Sequence, residues 1–378
     1  MSIDKMVIIE ALSKVIDPAS GQDLITMSMV RDLVIEANNI QFVVELRSLD
    51  NDKKQQLNFA CIEAIQQKYP EANVHIHMAG QGQAEQGQQA ATPQINIPAA
   101  KPNPLPQVKN VIAIASGKGG VGKSTVAVNL ALALKATGAK VGLIDADLYG
   151  PSIPTMMGLQ GKRPEIKDVY GAQKIVPLEA YGIPLISIGF IIDPEQAVVL
   201  RGPRLAGILG QFINDCIWPE LDYLLIDLPP GTGDIQLTLV QSISVTGSIM
   251  VTTPQQVAVA DAIKAANMFL NPTIGVPVLG VVENMAWFTP AELPDNKYKI
   301  FGEGGGQKLA EFGKAPLLGQ IPIVISVREG GDNGKPVVLE ENNIAADEFK
   351  AIAEKLIVEV NRRNETMDPT EIVKITTG

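Results

Sequence analysis

The run Gly117, Lys118, Gly119, Gly120, Val121, Gly122, Lys123, Ser124, Thr125 holds the residue types that phosphate chemistry needs, at the spacing G-x-x-x-x-G-K-[ST]. Glycines let backbone N–H groups approach phosphate oxygens with no Cβ in the way. Lys123 brings positive charge, and the hydroxyl of Ser124 is a hard oxygen donor suited to Mg2+. A further lysine, Lys118, directly follows the first glycine. Two more segments carry acids: Asp145-Ala-Asp147, with carboxylates at i and i+2, and Leu224-Leu-Ile-Asp227, which runs into the glycine-rich Pro-Pro-Gly231-Thr-Gly-Asp234. Phosphoryl transfer needs little covalent help but much charge neutralisation and positioning. Lys123, Ser124, Asp147 and Asp227 make up such a set, with lysine and Mg2+ neutralising phosphates and carboxylates orienting the metal's waters or the attacking water. An aspartate at a strand end caps a helix as readily as it catalyses. Its coincidence with the glycine loop is what favours the chemical reading.

These residues must be held by a strand, a turn and a helix start. The apolar run 111–115 precedes the loop, and 126–135 follows it with the Ala/Leu spacing of a buried helix. The first N–H groups of a helix lack intrahelical partners and lie at the positive end of its dipole, so they attract phosphate. From residue 108 onward strand-like runs (111–115, 141–145, 185–189, 223–227, 248–252, 278–282) alternate with helical ones. That alternation predicts an α/β fold, a parallel sheet with helices on both faces, and the phosphate-loop motif at 117–125 marks it as a P-loop sheet. Ligands of such sheets sit at the carboxyl ends of the strands, where Asp145, Asp147 and Asp227 fall.

Ahead of it, residues 1–78 predict a small α/β sandwich. A helix over 5–15 ends at Asp17-Pro18, and strands over 27–36 and 39–46 meet at a turn at Asn38-Asn39. A helix over 53–69 puts Leu57, Cys61, Ala64 and Ile65 on one side, and 74–78 alternates like an edge strand. Residues 79–107 are rich in Gln, Gly and Pro and predict a linker that cannot bury enough surface to order itself. The catalytic domain then spans 108–365, and 366–378 is a polar tail.

The 378 residues have 46% hydrophobic and 19% charged side chains, the balance of a soluble α/β protein. A net charge of −10 weighs against nucleic acid as a partner. Met1-Ser-Ile-Asp-Lys5 lacks the apolar core of a signal peptide, and no run reaches the length of a membrane span. Phe349, Ile352, Leu356, Ile357 and Val360 form an apolar stripe, but Glu354 and Glu359 flank it where a lipid-binding helix would be basic. The expectation is a cytoplasmic protein without stable membrane association. Cys61 and Cys216 lie far apart, which fits a reducing compartment and no disulfide. His75 and His77, the only histidines, share a strand face but have no further Cys or His nearby to complete a metal site.

The loop at 117–125 resembles the deviant Walker A motif of the ParA/MinD and nitrogenase-iron-protein class of ATPases. Asp145-Ala-Asp147-Leu-Tyr-Gly-Pro-Ser152 and Asp227-Leu-Pro-Pro-Gly-Thr-Gly-Asp234 resemble, more narrowly, the Mrp/ApbC family of iron–sulfur cluster carrier ATPases. Arg201-Gly-Pro203, Glu283-Asn-Met285 and Phe301-Gly-Glu-Gly-Gly-Gly306 are similar to further segments of that family, and residues 1–78 to the domain that often precedes it. The resemblance implies ATP and Mg2+ as cofactors and an ATP-bound homodimer in which Lys118 reaches the partner subunit's nucleotide. It implies that Asp147 orients the attacking water, that Asp227 with Ser124 supports the Mg2+ shell, and that Asn284 contacts the adenine. It also implies an Fe–S cluster as cargo, with scaffold or recipient proteins as partners.

One family feature is missing. These carriers usually hold the cluster through a Cys-x-x-Cys pair soon after the Asn-Met segment, whereas residues 284–301 contain no cysteine. Fe–S clusters are held almost entirely by thiolates, and Cys61 and Cys216 read as small buried hydrophobes. Trp287 and Phe288 in that stretch fit either a docking loop or the core. An ATP-dependent dimerisation switch that positions partners without carrying a cluster is therefore the alternative. A reductase like the nitrogenase iron protein, which needs cluster cysteines, fits least.

Overall fold

The computed structural model describes residues 5–16, 22–27, 29–36, 39–46, 57, 60–65, 67–69, 73–80, 103–147, 150–169, 172–191, 202–290, 292–293, 295–370 and 372. It divides into two compact units, Met1–Ile97 and Pro98–Gly378. Of the expected features, Asp17-Pro18, the Asn38 turn, Arg201, the central linker residues 81–102 and the end of the tail lie outside the described residues.

The first unit has α1 (Lys5–Leu12) and a three-stranded sheet of β1 (Val30–Glu36), β2 (Asn39–Leu46) and β3 (Asn73–Gly80). The central β2 runs antiparallel to β1 and parallel to β3, which makes β3 the edge strand its alternation predicts. Ile40, Phe42 and Val44 point to one side with period two and meet Ile8, Leu12, Leu57, Cys61 and Ile65 in a core of their own. The strand expected from residue 27 begins only at Val30. Before it, the Met27 N–H donates to the Asp23 carbonyl at 3.2 Å and the Met29 N–H to the Leu24 carbonyl at 2.9 Å, a turn that keeps those residues out of the sheet.

Among its described residues the second unit has ten strands: β4 (Val108–Ala115), β5 (Val141–Asp145), β6 (Glu165–Val169), β7 (Ala172–Val176), β8 (Leu178–Ala180), β9 (Ile183–Ser187), β10 (Leu221–Asp227), β11 (Gly247–Thr252), β12 (Val278–Phe288) and β13 (Leu317–Ile323). Its helices are α2 (Lys123–Ala136), the short α3 (Ile153–Met156), α4 (Gly202–Asn214), α5 (Asp234–Ser242), α6 (Gln256–Leu270), α7 (Gly305–Gly313), α8 (Ile325–Asp332) and α9 (Ile344–Thr366). Eight strands form one sheet in the order β13-β12-β11-β4-β10-β5-β9-β8. All neighbours are parallel except β8, which turns back antiparallel along β9 and departs from the purely parallel sheet expected. β6 and β7 pair separately as a hairpin.

Every residue of β5 and β11 is buried, so helices cover the sheet on both faces. Helices α2 and α9 pack on each other and on the sheet, as do α6 and α7, while α4 packs on α5. Phe349, Ile352, Leu356 and Val360 are fully buried, so the apolar stripe of α9 is core and not a lipid-facing edge. Among the described residues no helix is long and apolar enough to cross a membrane. The chain leaves β4, builds β5 and β10 on one side of it, then crosses to β11 on the other. That reversal opens a crevice at the carboxyl ends of the central strands.

Candidate active site

The loop between β4 and α2 is built for close approach. Gly120 and Gly122 both have φ of 82°, a left-handed conformation that glycine adopts at no steric cost. A Cβ on Gly117 would stand 2.0 Å from the carbonyl carbon of Asp261 in α6, so no other residue fits there. α2 starts at Lys123 without a side-chain cap, which leaves its first N–H groups available to an anion. Two tethers fix the loop: Gly231 N–H donates to the Ser116 carbonyl at 2.8 Å, and Asn284 Nδ2 donates to the Val121 carbonyl at 2.8 Å. A cavity of about 210 Å3 lies over it, lined by Lys118, Gly119, Gly120, Lys123, Ser124, Thr125 and Asp147 among others. Lys118 is exposed at its mouth.

Strand register assembles the acids. Asp227 of β10 lies beside Asp145 of β5, which in turn lies beside Ser187 of β9. Lys123 Nζ donates to Asp227 Oδ1 at 2.7 Å and stands 3.5 Å from Asp147 Oδ2. Ser124 Oγ donates to Asp227 Oδ2 at 2.6 Å. Asp145 is fully buried, accepting from Ser187 Oγ at 2.8 Å and from the Asp147 N–H at 3.1 Å. That last bond is the turn that redirects the second acid, so Asp145 points inward and Asp147 toward Lys123.

Burial, and then the neighbouring Asp227 charge, push the Asp145 carboxyl up to about 8. Burial likewise raises Asp227, although Lys123 and Ser124 oppose it. Asp147 and Asp227 share the single charge of Lys123, and a cation beside them would favour their ionised forms. Mg2+ in phosphate sites uses one or two carboxylates plus substrate oxygens, and the adjoining Ser124 hydroxyl and Asp227 carboxylate fit that demand. Sequence spacing did not reveal the Asp145–Ser187 pair, because it depends on which strand neighbours β5.

A second cavity, of about 620 Å3, continues from the first through Gly122, Thr125, Ser152 and Met156. Asn284, Met285 and Phe301 line it on one side, and Pro322, Ile323 and Val324 at the end of β13 on another. Asn284 is buried, and its bond to Val121 fixes the amide so that the oxygen remains for another donor. A Cβ on Gly122 would come 2.1 Å from that amide nitrogen. Of the residues here the sequence singled out Asn284 and the loop. Met285 and Phe301 entered only as parts of segments that resemble the family, and the β13 end was missed, although the strand-end rule would have found it had β13 been recognised.

A thiolate-held cluster does not fit the residues present. Cys61 and Cys216 sit in different units, both buried, and burial pushes each thiol up to about 12. Among the described residues no three His, Cys, Asp or Glu side chains converge as a metal site. Trp287 belongs to the core side of its strand, buried with Lys297 Nζ 4.2 Å over its ring. Phe288 is half-buried and exchanges backbone hydrogen bonds with Tyr298 at 2.9 and 2.8 Å.

Residues 107–357 match the family model described as ParA, NUBPL iron-transfer P-loop NTPase, and residues 5–76 match that of an iron-sulfur cluster assembly protein. The iron-sulfur cluster carrier protein of Synechocystis sp. is 42% identical over 355 residues, 94% of this chain and 97% of that protein. That of Deinococcus radiodurans is 40% identical over 368 residues, 97% and 98% of the respective chains. Among solved structures, a nucleotide-binding protein from Archaeoglobus fulgidus in complex with ADP superposes with a TM-score of 0.54 at 37% identity, covering 63% of this chain and 91% of its own.

Proposed function

This chain belongs to the family of NUBPL-type iron-transfer P-loop NTPases, an ATPase family with an ATP-dependent role in iron–sulfur carriage and assembly, and on that premise we propose how its residues divide the work. Lys123 and the open start of α2 bind the phosphates, with Lys123 exchanging its Asp227 partner for a phosphate oxygen. Ser124 and Asp227 would hold Mg2+, which neutralises phosphate charge when bound. Asp147, next to Lys123, orients the attacking water. Lys118, exposed at the cavity mouth, reaches the nucleotide of a second copy, so that charge building in the transition state is stabilised only in the dimer. The 620 Å3 cavity receives the nucleoside, with the Asn284 oxygen accepting from the adenine amino group.

The observation that carries this reading is the convergence of Lys123, Ser124, Asp227 and Asp147 beside an uncapped helix start. The cluster's thiolates come from a partner, a scaffold or recipient protein of the cytoplasm, because the two cysteines here are buried, one in each of two separate cores. The test joins two assays on the full chain. ATP turnover is expected in the wild type and lost in Asp147→Asn. After anaerobic incubation with ferrous iron and sulfide, then desalting, the chain alone is expected to retain no more of either than Cys216→Ala. Iron and sulfide retained in cluster proportion, and lost in Cys216→Ala, would refute partner-supplied thiolates without touching the ATPase assignment.

A further inference from the structure

Glu283 is a buried carboxylate that phosphate chemistry leaves unused. It is 1% exposed, and no ion pair reaches it among the described residues. Its Oε1 accepts from Gln320 Nε2 at 2.6 Å, and its Oε2 accepts from the N–H of Gly306 in the first turn of α7. A helix start stabilises such a charge, yet burying a carboxylate is costly compared with burying a neutral side chain. What the carboxylate joins explains its presence.

Three segments that line the 620 Å3 cavity run on to this side chain or its two hydrogen-bond partners. Asn284 and Met285 follow Glu283 directly on the outgoing limb, Met285 with a φ of 56° that turns the chain. The chain returns at Phe301, five residues before Gly306. Gln320 sits in register beside Glu283 on β13, two residues before Pro322. Gly306 is shaped for the contact, since a Cβ there would come 2.7 Å from the Glu283 Cβ. Gly305 is equally confined, with 2.6 Å to the Pro254 carbonyl oxygen. One side chain thus bonds the outgoing limb, the returning limb and the neighbouring strand together.

We propose that Glu283 is a positioning residue that sets the width of the nucleoside cavity, and so the affinity ATP gains over a bare triphosphate. The proposal rests on the reading of that cavity as the nucleoside's. The Glu283 carboxylate itself bonds neither the loop at 117–125 nor the acids around Lys123.

The experiment measures binding of ATP and of inorganic tripolyphosphate, each with Mg2+, to the full chain by calorimetry, alongside ATP turnover. The wild type is expected to prefer ATP. Glu283→Ala is expected to lose about tenfold or more in ATP affinity, with tripolyphosphate within about threefold, and to raise KM while leaving kcat within about threefold. Glu283→Gln restores the preference, because its oxygen can accept from Gly306 while its amide donates to a flipped Gln320. Gly306→Ala, which pushes the returning limb off Glu283, should shift ATP and spare tripolyphosphate in the same way. A wild type that binds ATP no more tightly than tripolyphosphate overturns the reading of the cavity and the clamp with it. A wild type that prefers ATP, beside a Glu283→Ala chain with the same preference, overturns the role of Glu283 alone. Equal losses of both ligands in Glu283→Ala and Gly306→Ala also overturn it, since they report general damage.

Discussion

Asp145 and Asp227 lie side by side at the ends of adjacent strands, and burial raises both carboxyls. In the unfolded chain an aspartate titrates near 4, so the folded state holds protons that the unfolded state has released. Stability then falls as pH rises across that interval, which for Asp145 runs up to about 8. The unliganded chain is expected to unfold at lower urea at pH 8 than at pH 6, and Asp145→Asn to flatten that slope. Parallel pH profiles for the two would remove Asp145 from the account. Lys118 presents the opposite case, exposed at the mouth of the smaller cavity. Lys118→Ala should leave the melting temperature unchanged while ATP turnover falls about a hundredfold or more, as removal of a transition-state cation does. The thiols of Cys61 and Cys216, both pushed up to about 12, are protonated at pH 8 and hence poor nucleophiles. Iodoacetamide followed by mass spectrometry should label them slowly in the native chain and readily in urea.

At the scale of elements, the two nearby glycines of the loop differ in what surrounds them. Gly117→Ala would drive a methyl into the backbone of α6, which cannot step aside, and is expected to destabilise by about 1–3 kcal/mol in denaturant melts. Gly119→Ala meets nothing nearer than Pro230 Cγ at 3.8 Å and should stay within about 0.5 kcal/mol of the wild type. Equal effects would show that the loop does not seat on α6 as described. The loop, β5 and the Asp227 end of β10 were legible in the sequence because each is a local pattern: glycines at fixed spacing, or an apolar run ending in an acid. β13 was not, because Gly319, Gln320 and Pro322 break its apolar run. Only the fold explains them. Gly319 lacks a side chain where Ile352 of α9 packs, 2.5 Å from where a Cβ would be, and Gln320 faces Glu283. The bonds of Asp145 to Ser187 and of Glu283 to Gly306 were hidden for the same reason, since both join residues that strand order and chain return bring together.

For the molecule as a whole, the decisive fact is that each unit closes a hydrophobic core of its own. The residues proposed to bind nucleotide, both cavities and the proposed Glu283 clamp all belong to Pro98–Gly378. A ligand that binds only the folded form of one unit stabilises that unit by mass action, by about 2.7 kcal/mol at a hundred times its Kd. In a unit of this size that corresponds to a rise of roughly 4–5 °C in melting temperature. Calorimetry of the full chain is therefore expected to give two transitions, of which saturating Mg-ADP moves one by that amount and leaves the other in place. A fragment of residues 98–378 should reproduce the ligand-sensitive transition and retain ATP turnover, while Lys123→Ala in the full chain should abolish the shift. A single transition that moves as one body with nucleotide would mean that the two cores fold as one cooperative unit, and the N-terminal unit would then have to be counted in the energetics of the ATPase.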